Sequence, residues 1–189
     1  MKAYPKKVRV NDNLYDINTD YKVALKCLEI LNNDDLSTIE RVYGSLYTLL
    51  GFIPKEDEIK ALYDKMLLYL GCGETQEQQK SKVNDIDLNY DYDYISASFR
   101  SDYNIDIRNT EMHWYEFVNL ISGFTDKTIM SRVRDIRNFD MNQIKDPIER
   151  SKIMKAKENV ALPSVEKLTY EEQEMLDEFE RLLEGGDNR

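Results

Sequence analysis

Apolar side chains recur every three or four residues through most of this 189-residue chain, and polar residues or glycines interrupt them at short intervals. That spacing places the apolar groups along one face of a helix. Asp20 can cap the first such stretch, which ends at Asn32-Asn33. The second spans 36–50 and the third 54–70, and a glycine follows each of them. Three helices joined by short loops predict an antiparallel cluster.

Helical spacing returns beyond residue 90. Asp91 or Asp93 can cap the first helix there, and Asn104 can end it in a left-handed conformation. Thr110 is the expected cap of the helix that contains Trp114. The predicted spans are about 91–103, 110–123, 128–139, 146–159 and 169–184.

The segment before the first helix alternates apolar and polar residues around the turn Asn11-Asp12-Asn13, which predicts a small β-hairpin. The expected fold is mainly α, a helical bundle in two helical groups with an N-terminal β-hairpin and a C-terminal amphipathic helix. We expect a single helical domain over 1–168, followed by an acidic amphipathic helix and tail over 169–189. The domain comprises the hairpin (1–19), the first helical group (20–73), a polar connector (74–89) and the second helical group (90–160).

The formal net charge of −10 argues against general binding to nucleic acid, because such binding needs cations that replace the counterions on phosphates. The charge is uneven, since 127–157 holds nine basic and four acidic residues and 166–189 holds nine acidic and three basic ones. We interpret the basic segment as a solvated face, with contact to an acidic partner as the alternative. The sequence has no run of 18 apolar residues and no signal peptide, so we expect a cytoplasmic protein with no membrane partner.

The sequence offers little for catalysis or metal binding. The aspartates from Asp85 to Asp93 lack the glycine and glutamate that a helix-loop-helix calcium site needs, so we interpret them as carboxylates at the start of a helix. Cys72 could act as a nucleophile with His113 as its general base, but the favoured interpretation is that Cys72 simply lies at the end of a helix. Both cysteines are expected to be free thiols. We therefore predict a protein that is not an enzyme, with no catalytic residues, no cofactor and no metal ligands.

The only tryptophan stands beside the only histidine, at the start of an apolar helical stripe. Core packing is the favoured interpretation of that stripe, with His113 as a surface or hydrogen-bonded neighbour. The flanking helices offer matching apolar faces. The predicted core consists of Tyr92, Ile95, Phe99, Trp114, Phe117, Val118, Ile121, Ile129, Val133 and Ile136.

The last predicted helix opens at Thr169 with the spacing of a capping box and is apolar on one face. Such a helix can pack on its own domain, dock on a neighbouring protein molecule or imitate a helix of a protein that this chain binds. The candidate partner-binding residues are Met175, Leu176, Phe179, Leu182 and Leu183.

Three short segments carry a resemblance to a known family. They are 94–99 (YISASF), 112–117 (MHWYEF) and 134–137 (RDIR), and in this order they resemble the bacteriophage "gene product fifteen" family. Members of that family are encoded among the tail genes of phages and prophages of Gram-positive bacteria, commonly between a major tail protein and the tape-measure protein.

The resemblance implies a tail assembly chaperone that binds the tape-measure protein. We expect it to act in the host cytoplasm, and a homo-oligomer is part of the same hypothesis. It brings no catalytic residues with it. The alternatives are a structural tail or virion component and, less strongly, a regulator that acts on nucleic acid.

Overall fold

A computed structural model of the protein describes residues 3–75, 78 and 85–163. They form two compact units, with 3–75 in the first and 78 together with 85–163 in the second. The division between the units falls within the segment 74–89. In the described part of the chain, no helix has the length and apolar content needed to cross a membrane.

The first unit begins with the predicted β-hairpin. Strand β1 (Lys7–Val10) pairs antiparallel with β2 (Asn13–Asp16), so that Lys7 lies opposite Asp16. Asn11 turns the chain with a φ of 51°, a left-handed conformation that asparagine tolerates better than most residues. The hairpin and the mainly α-helical class are both confirmed.

Three helices complete the first unit: α1 (Tyr21–Leu31), α2 (Thr38–Leu50) and α3 (Ile59–Leu70), the last preceded by the 3₁₀ turn Glu56–Glu58. The Asp20 carboxylate accepts a hydrogen bond from the Lys22 N–H at 2.7 Å, which confirms it as the cap of α1. Their apolar faces bury a common core. Its members include Tyr21, Ala24, Leu25, Cys27, Val42, Leu46, Leu49, Ile59, Leu62 and Met66.

The second unit contains four α-helices within 85–163: α4 (Tyr92–Tyr103), α5 (Trp114–Ser122), α6 (Ile129–Asn138) and α7 (Pro147–Asn159). Short 3₁₀ turns lie at Ile107–Asn109 and Met141–Gln143. Asn104 ends α4 with a φ of 53°, as predicted. Thr128 and Asp146 cap α6 and α7 through their side chains.

Stacked aromatic rings form the centre of the second unit. Phe99 of α4 stacks on Phe117 of α5 with ring centroids 5.3 Å apart, and Trp114 lies 5.9 Å from Phe117. Phe124 meets the edge of Phe99 at 5.3 Å. Of the ten predicted core residues, those that lie buried are Ile95, Phe99, Trp114, Phe117, Ile121 and Val133.

The remaining predicted core residues lie nearer the surface. Tyr92, Val118 and Ile136 are half-buried, and Ile129 is 38% exposed, so its assignment to the core is wrong. The reason is the register of α6. Its buried side runs through Met130, Val133 and Arg137, and because successive helical residues are about 100° apart, Ile129 and Ile136 fall to one flank.

Candidate interaction surfaces

The polar interior of the second unit is organised by Arg137. Its Nη1 and Nη2 donate to the two carboxylate oxygens of Asp91 at 2.7 and 2.8 Å, and both side chains are almost wholly buried. The same guanidinium donates to the carbonyls of Asp85 at 2.9 Å and Val160 at 2.6 Å. The hydrogen bond with Asp91 is the main cause of a raised pKa at Arg137, so the group stays charged. The solvated-face interpretation is therefore wrong for Arg137.

The aspartates before α4 support this arrangement. Asp91, one of the two predicted caps, occupies the N-cap position of α4, but its carboxylate makes no capping bond to the helix and binds Arg137 instead. Asp85 accepts hydrogen bonds from Arg134 Nε at 3.0 Å and Asn138 Nδ2 at 2.7 Å. These carboxylates bind the end of α6, a use that local spacing cannot reveal because their partners lie 46 to 53 residues away.

His113 has a structural role that sequence reasoning missed. Its Nδ1 accepts a hydrogen bond from the Tyr115 N–H at 3.0 Å, which makes His113 the cap of α5. Thr110, the predicted cap, instead ends the preceding 3₁₀ turn and donates from Oγ1 to the Asp106 carbonyl at 2.7 Å. Histidine is an unusual cap, since serine, threonine, aspartate and asparagine are preferred, and so the pattern pointed to Thr110.

An exposed apolar stripe runs along α2. Ile39, Tyr43, Tyr47 and Leu50 follow one another at i, i+4, i+8 and i+11 and therefore share one side of the helix. Ile39 is 54% exposed and Tyr47 57% exposed, while the other two are half-buried. We call these four residues the α2 stripe. The buried side of α2 is adjacent and carries Val42, Ser45, Leu46 and Leu49.

The α2 helix presents this stripe from a fixed position. A capping box at its start pairs Ser37 with Glu40 in both directions, and Gly51 ends it in a left-handed conformation with a φ of 78°. Gly44 lies against α1, where an added Cβ would meet Ile30 at 3.4 Å. At the far end, the Asn18 N–H donates to the Leu49 carbonyl at 2.9 Å. The stripe therefore sits on a helix that is capped at both ends, packs on α1 and is bonded to the segment before α1 at its far end.

Further apolar groups are exposed where α2 meets the hairpin. Phe52, which follows α2, contacts the Tyr15 ring with centroids 5.9 Å apart and remains partly exposed. The Tyr15 hydroxyl donates to Glu58 Oε1 at 2.6 Å, and Asn13 Nδ2 donates to the same oxygen at 3.0 Å. These two bonds, Tyr15 first, lower the pKa of Glu58. They fix the hairpin beside the end of the α2 stripe.

Helix α7 presents a different surface, because none of its residues is buried. Ile148 is 69% exposed and Met154 48% exposed, and Lys152 and Lys155 are exposed as well. Three side chains hold the helix in place from its other side. They are Arg150 and Lys157, which donate to the carbonyls of Met141 and Phe139, and Arg137, which donates to Val160.

A shallow depression of about 460 Å³ lies on α4 beside the 3₁₀ turn. Ser96 and Ala97 line its floor. Two ion pairs border it, Arg100 with Asp106 at 2.8 Å and Arg108 with Asp93 at 2.6 Å. Because each charge already faces an opposite one, the depression has no excess charge to attract a small ion.

The candidate partner-binding residues of the last predicted helix stay a prediction, since they lie outside the described residues. They are Met175, Leu176, Phe179, Leu182 and Leu183.

Comparison with known proteins assigns the chain to a family but finds no individual relative. No curated protein and no solved structure matches it. Residues 3–162 match the family described as "Bacteriophage Gp15 protein", and this range spans both compact units and every helix described above. The chain therefore belongs to the bacteriophage Gp15 protein family.

Proposed function

We propose that this protein is a non-enzymatic tail assembly chaperone that binds the phage tape-measure protein in the host cytoplasm. The observation that carries the proposal is the α2 stripe, an apolar surface left exposed on a helix that is capped at both ends and buries its adjacent side in the core. Family membership supplies the phage context, and the stripe supplies a place for a client.

The dimensions of the stripe suit a helical client. Leu50 lies eleven positions after Ile39, so at 1.5 Å per residue the stripe is about 16 Å long, or three helical turns. An amphipathic helix laid along it would present anchors at the i, i+3, i+4 and i+7 positions. Tyr43 and Tyr47 suit such a contact, because their rings add apolar area while their hydroxyls tolerate solvent when the client leaves. A long helix-rich chain that exposes apolar faces before tail assembly is a client of this chemistry.

The side chains that could have acted in catalysis have structural roles instead, which supports a binding function. His113 accepts a backbone N–H as a helix cap, and Asp91 is held by Arg137. Cys27 is buried, and burial raises its pKa to about 12, which keeps the thiol protonated and unreactive at neutral pH.

Co-expression of the chain with its tape-measure protein tests the proposal. We expect the wild-type chain to co-purify with the tape-measure protein and to increase its soluble fraction. The double variant Ile39→Ser/Tyr47→Ser removes the exposed anchors of the α2 stripe and should lose both effects, because both side chains are more than half exposed and contribute little to the core.

Ile148→Ser/Tyr90→Ser is the matched control, since it removes one isoleucine and one tyrosine that are also more than half exposed and that lie outside the stripe. The control should behave as wild type. A wild-type chain that neither co-purifies with the tape-measure protein nor improves its solubility rejects the proposal. Mass spectrometry of mature particles supplies a second check, because a chaperone is absent from them and a structural tail component is present in fixed copy number.

A further inference from the structure

Charge is unevenly distributed around the α2 stripe. Residues 34–58, which contain the stripe and the segments on both sides of it, hold six acidic and two basic residues, whereas the rest of 3–75 holds six acidic and seven basic ones. Of the two cations, Arg41 already pairs with Asp34 at 3.2 Å. Between Arg41 and Lys55 the sequence carries no charged residue. An uncharged span is thus bounded on each side by more carboxylates than cations.

At the start of α2, a fixed carboxylate borders the stripe. Glu40 follows Ile39 directly, and Tyr43 and Tyr47 come three and seven positions later, so Glu40 stands beside both tyrosines. The Ser37 hydroxyl and backbone N–H donate to Glu40 Oε2 at 2.7 and 2.9 Å, and these bonds, the hydroxyl first, lower the pKa of Glu40. The carboxylate therefore stays ionised at neutral pH, and it is exposed to a partner's cation.

At the other end, carboxylates meet the aromatic rings that follow the stripe. The Phe52 ring contacts Tyr15, whose hydroxyl donates to Glu58 Oε1 at 2.6 Å. The pKa of Tyr15 is raised, chiefly by this hydrogen bond and to a smaller degree by the charge of Asp57, which therefore lies nearby. Asp57 is exposed, as is Ile53 between the stripe and the carboxylates. The apolar surface thus ends beside negative charge here as well.

This charge pattern discriminates among the helices that could lie on the stripe. A second copy is disfavoured, because two α2 stripes paired in either orientation would bring carboxylates against carboxylates at both ends. A helix with lysine or arginine on both sides of its apolar face fits better. The long stems of these residues can lie on apolar surface while their charged groups reach the carboxylates.

We propose that the α2 stripe selects a basic amphipathic helix, one with an apolar face of about three turns and cations at both ends. The inference rests on the proposed function and adds to it the chemistry of the client segment. The apolar contacts supply most of the affinity, and the charges at the two ends decide which helices bind.

Three labelled synthetic helices test this selection by fluorescence anisotropy with the full-length protein. They share one apolar face of about three turns and differ only in their flanks, which carry lysine, glutamine or glutamate. The lysine-flanked helix should bind about tenfold more tightly than the glutamate-flanked one, with the glutamine-flanked helix between them. High salt should remove most of this difference. Ile39→Ser/Tyr47→Ser should weaken the binding of all three.

A charge-neutralising variant locates the selection at the stripe. Glu40→Gln/Asp57→Asn removes one carboxylate at each end, and glutamine can retain the capping box. It should weaken binding of the lysine-flanked helix by about three- to tenfold and leave the glutamine-flanked helix unchanged. Glu29→Gln/Asp64→Asn is the matched control, since it neutralises one exposed glutamate and one exposed aspartate of the same unit outside 34–58, and it should bind as wild type. Equal weakening by the two variants would indicate a general attraction to an acidic protein and would overturn the inference.

The two proposals can fail separately. If the tape-measure protein co-purifies through Ile39 and Tyr47 but the three helices bind equally well, or none of them binds, the selection is absent and the chaperone function stands. Selective binding of the lysine-flanked helix without co-purification rejects the chaperone function and leaves the selection in place.

Discussion

The ion pair between Arg137 and Asp91 should dominate the stability of the second unit. Arg137→Met keeps much of the side-chain length but leaves the Asp91 carboxylate buried without the two guanidinium donors, so that the Asp87 N–H is its remaining donor among the described residues. Removing one partner of a buried pair costs about 3–5 kcal/mol, because an uncompensated charge stays in the interior. At about 2–4 °C per kcal/mol for a chain of this size, the expected drop in Tm is about 6–20 °C. An exposed pair such as Lys7 with Asp16 contributes about 0–1 kcal/mol.

Trp114 provides the assay. It is the only tryptophan, it lies buried in the second unit, and its fluorescence therefore reports the unfolding of that unit in urea. Arg132→Met on the same helix is the matched control, because Arg132 is exposed and donates only to the nearby Lys127 carbonyl. The control should change the free energy of unfolding by less than about 1 kcal/mol.

The double variant Arg137→Met/Asp91→Asn completes a mutant cycle. Since the neutral amide carries a smaller desolvation penalty than an unpaired carboxylate, the double variant should be more stable than Arg137→Met alone. A loss below about 1 kcal/mol for Arg137→Met, or a double variant no more stable than the single one, would refute the reasoning.

Three further predictions concern other side chains. His113→Ala should lower the stability of the second unit by about 0.5–2 kcal/mol in the same fluorescence assay. His113→Ser should retain most of the wild-type stability, because the serine hydroxyl can cap α5. Equal losses for the two variants would contradict the capping role. Burial raises the Cys27 pKa to about 12, so at pH 8 a maleimide should modify Cys72 and leave Cys27 unmodified until the chain unfolds. Equally fast labelling of both cysteines would contradict the burial of the Cys27 thiol. The Tyr15 hydroxyl lowers the pKa of Glu58, so this carboxylate adds stability above its unfolded pKa of about 4.3 and loses it as the pH falls through the lower folded pKa. Glu58→Gln should therefore be less stable than wild type at pH 7, with a difference that narrows in acid; a difference independent of pH would argue against the pairing.

Local signals explain what could be predicted from the sequence. The hairpin, the Asp20 cap and the left-handed Asn104 each depend on residues within a few positions, and all three are confirmed, although the turn is Asn11-Asp12 and Asn13 already belongs to β2. The aromatic stripe of α5 is also local, so the burial of Trp114 and Phe117 agrees with its spacing.

The register of α6 could not be predicted in the same way. An apolar pattern places Ile129 and Ile136 inward, but the buried side accepts Arg137 because Asp91 meets it from 46 residues away. Long-range pairing of charges thus overrode the local apolar pattern. In α6 a charged residue is buried, whereas in the α2 stripe an apolar residue is exposed. Ile39 has the spacing of a core residue, yet it lies at the surface.

One consequence of the Arg137 guanidinium is mechanical. It binds the carbonyl of Asp85, which precedes α4, and the carbonyl of Val160, which directly follows α7. The segment before the first of the four described helices and the segment after the last are thus bound by one planar group. A pulling force applied across them would first stretch these hydrogen bonds, before it reached the ring stack around Trp114. Because Arg137 holds these two segments together, a circular permutation that joins the chain close to them and opens it at another loop should disturb the unit little.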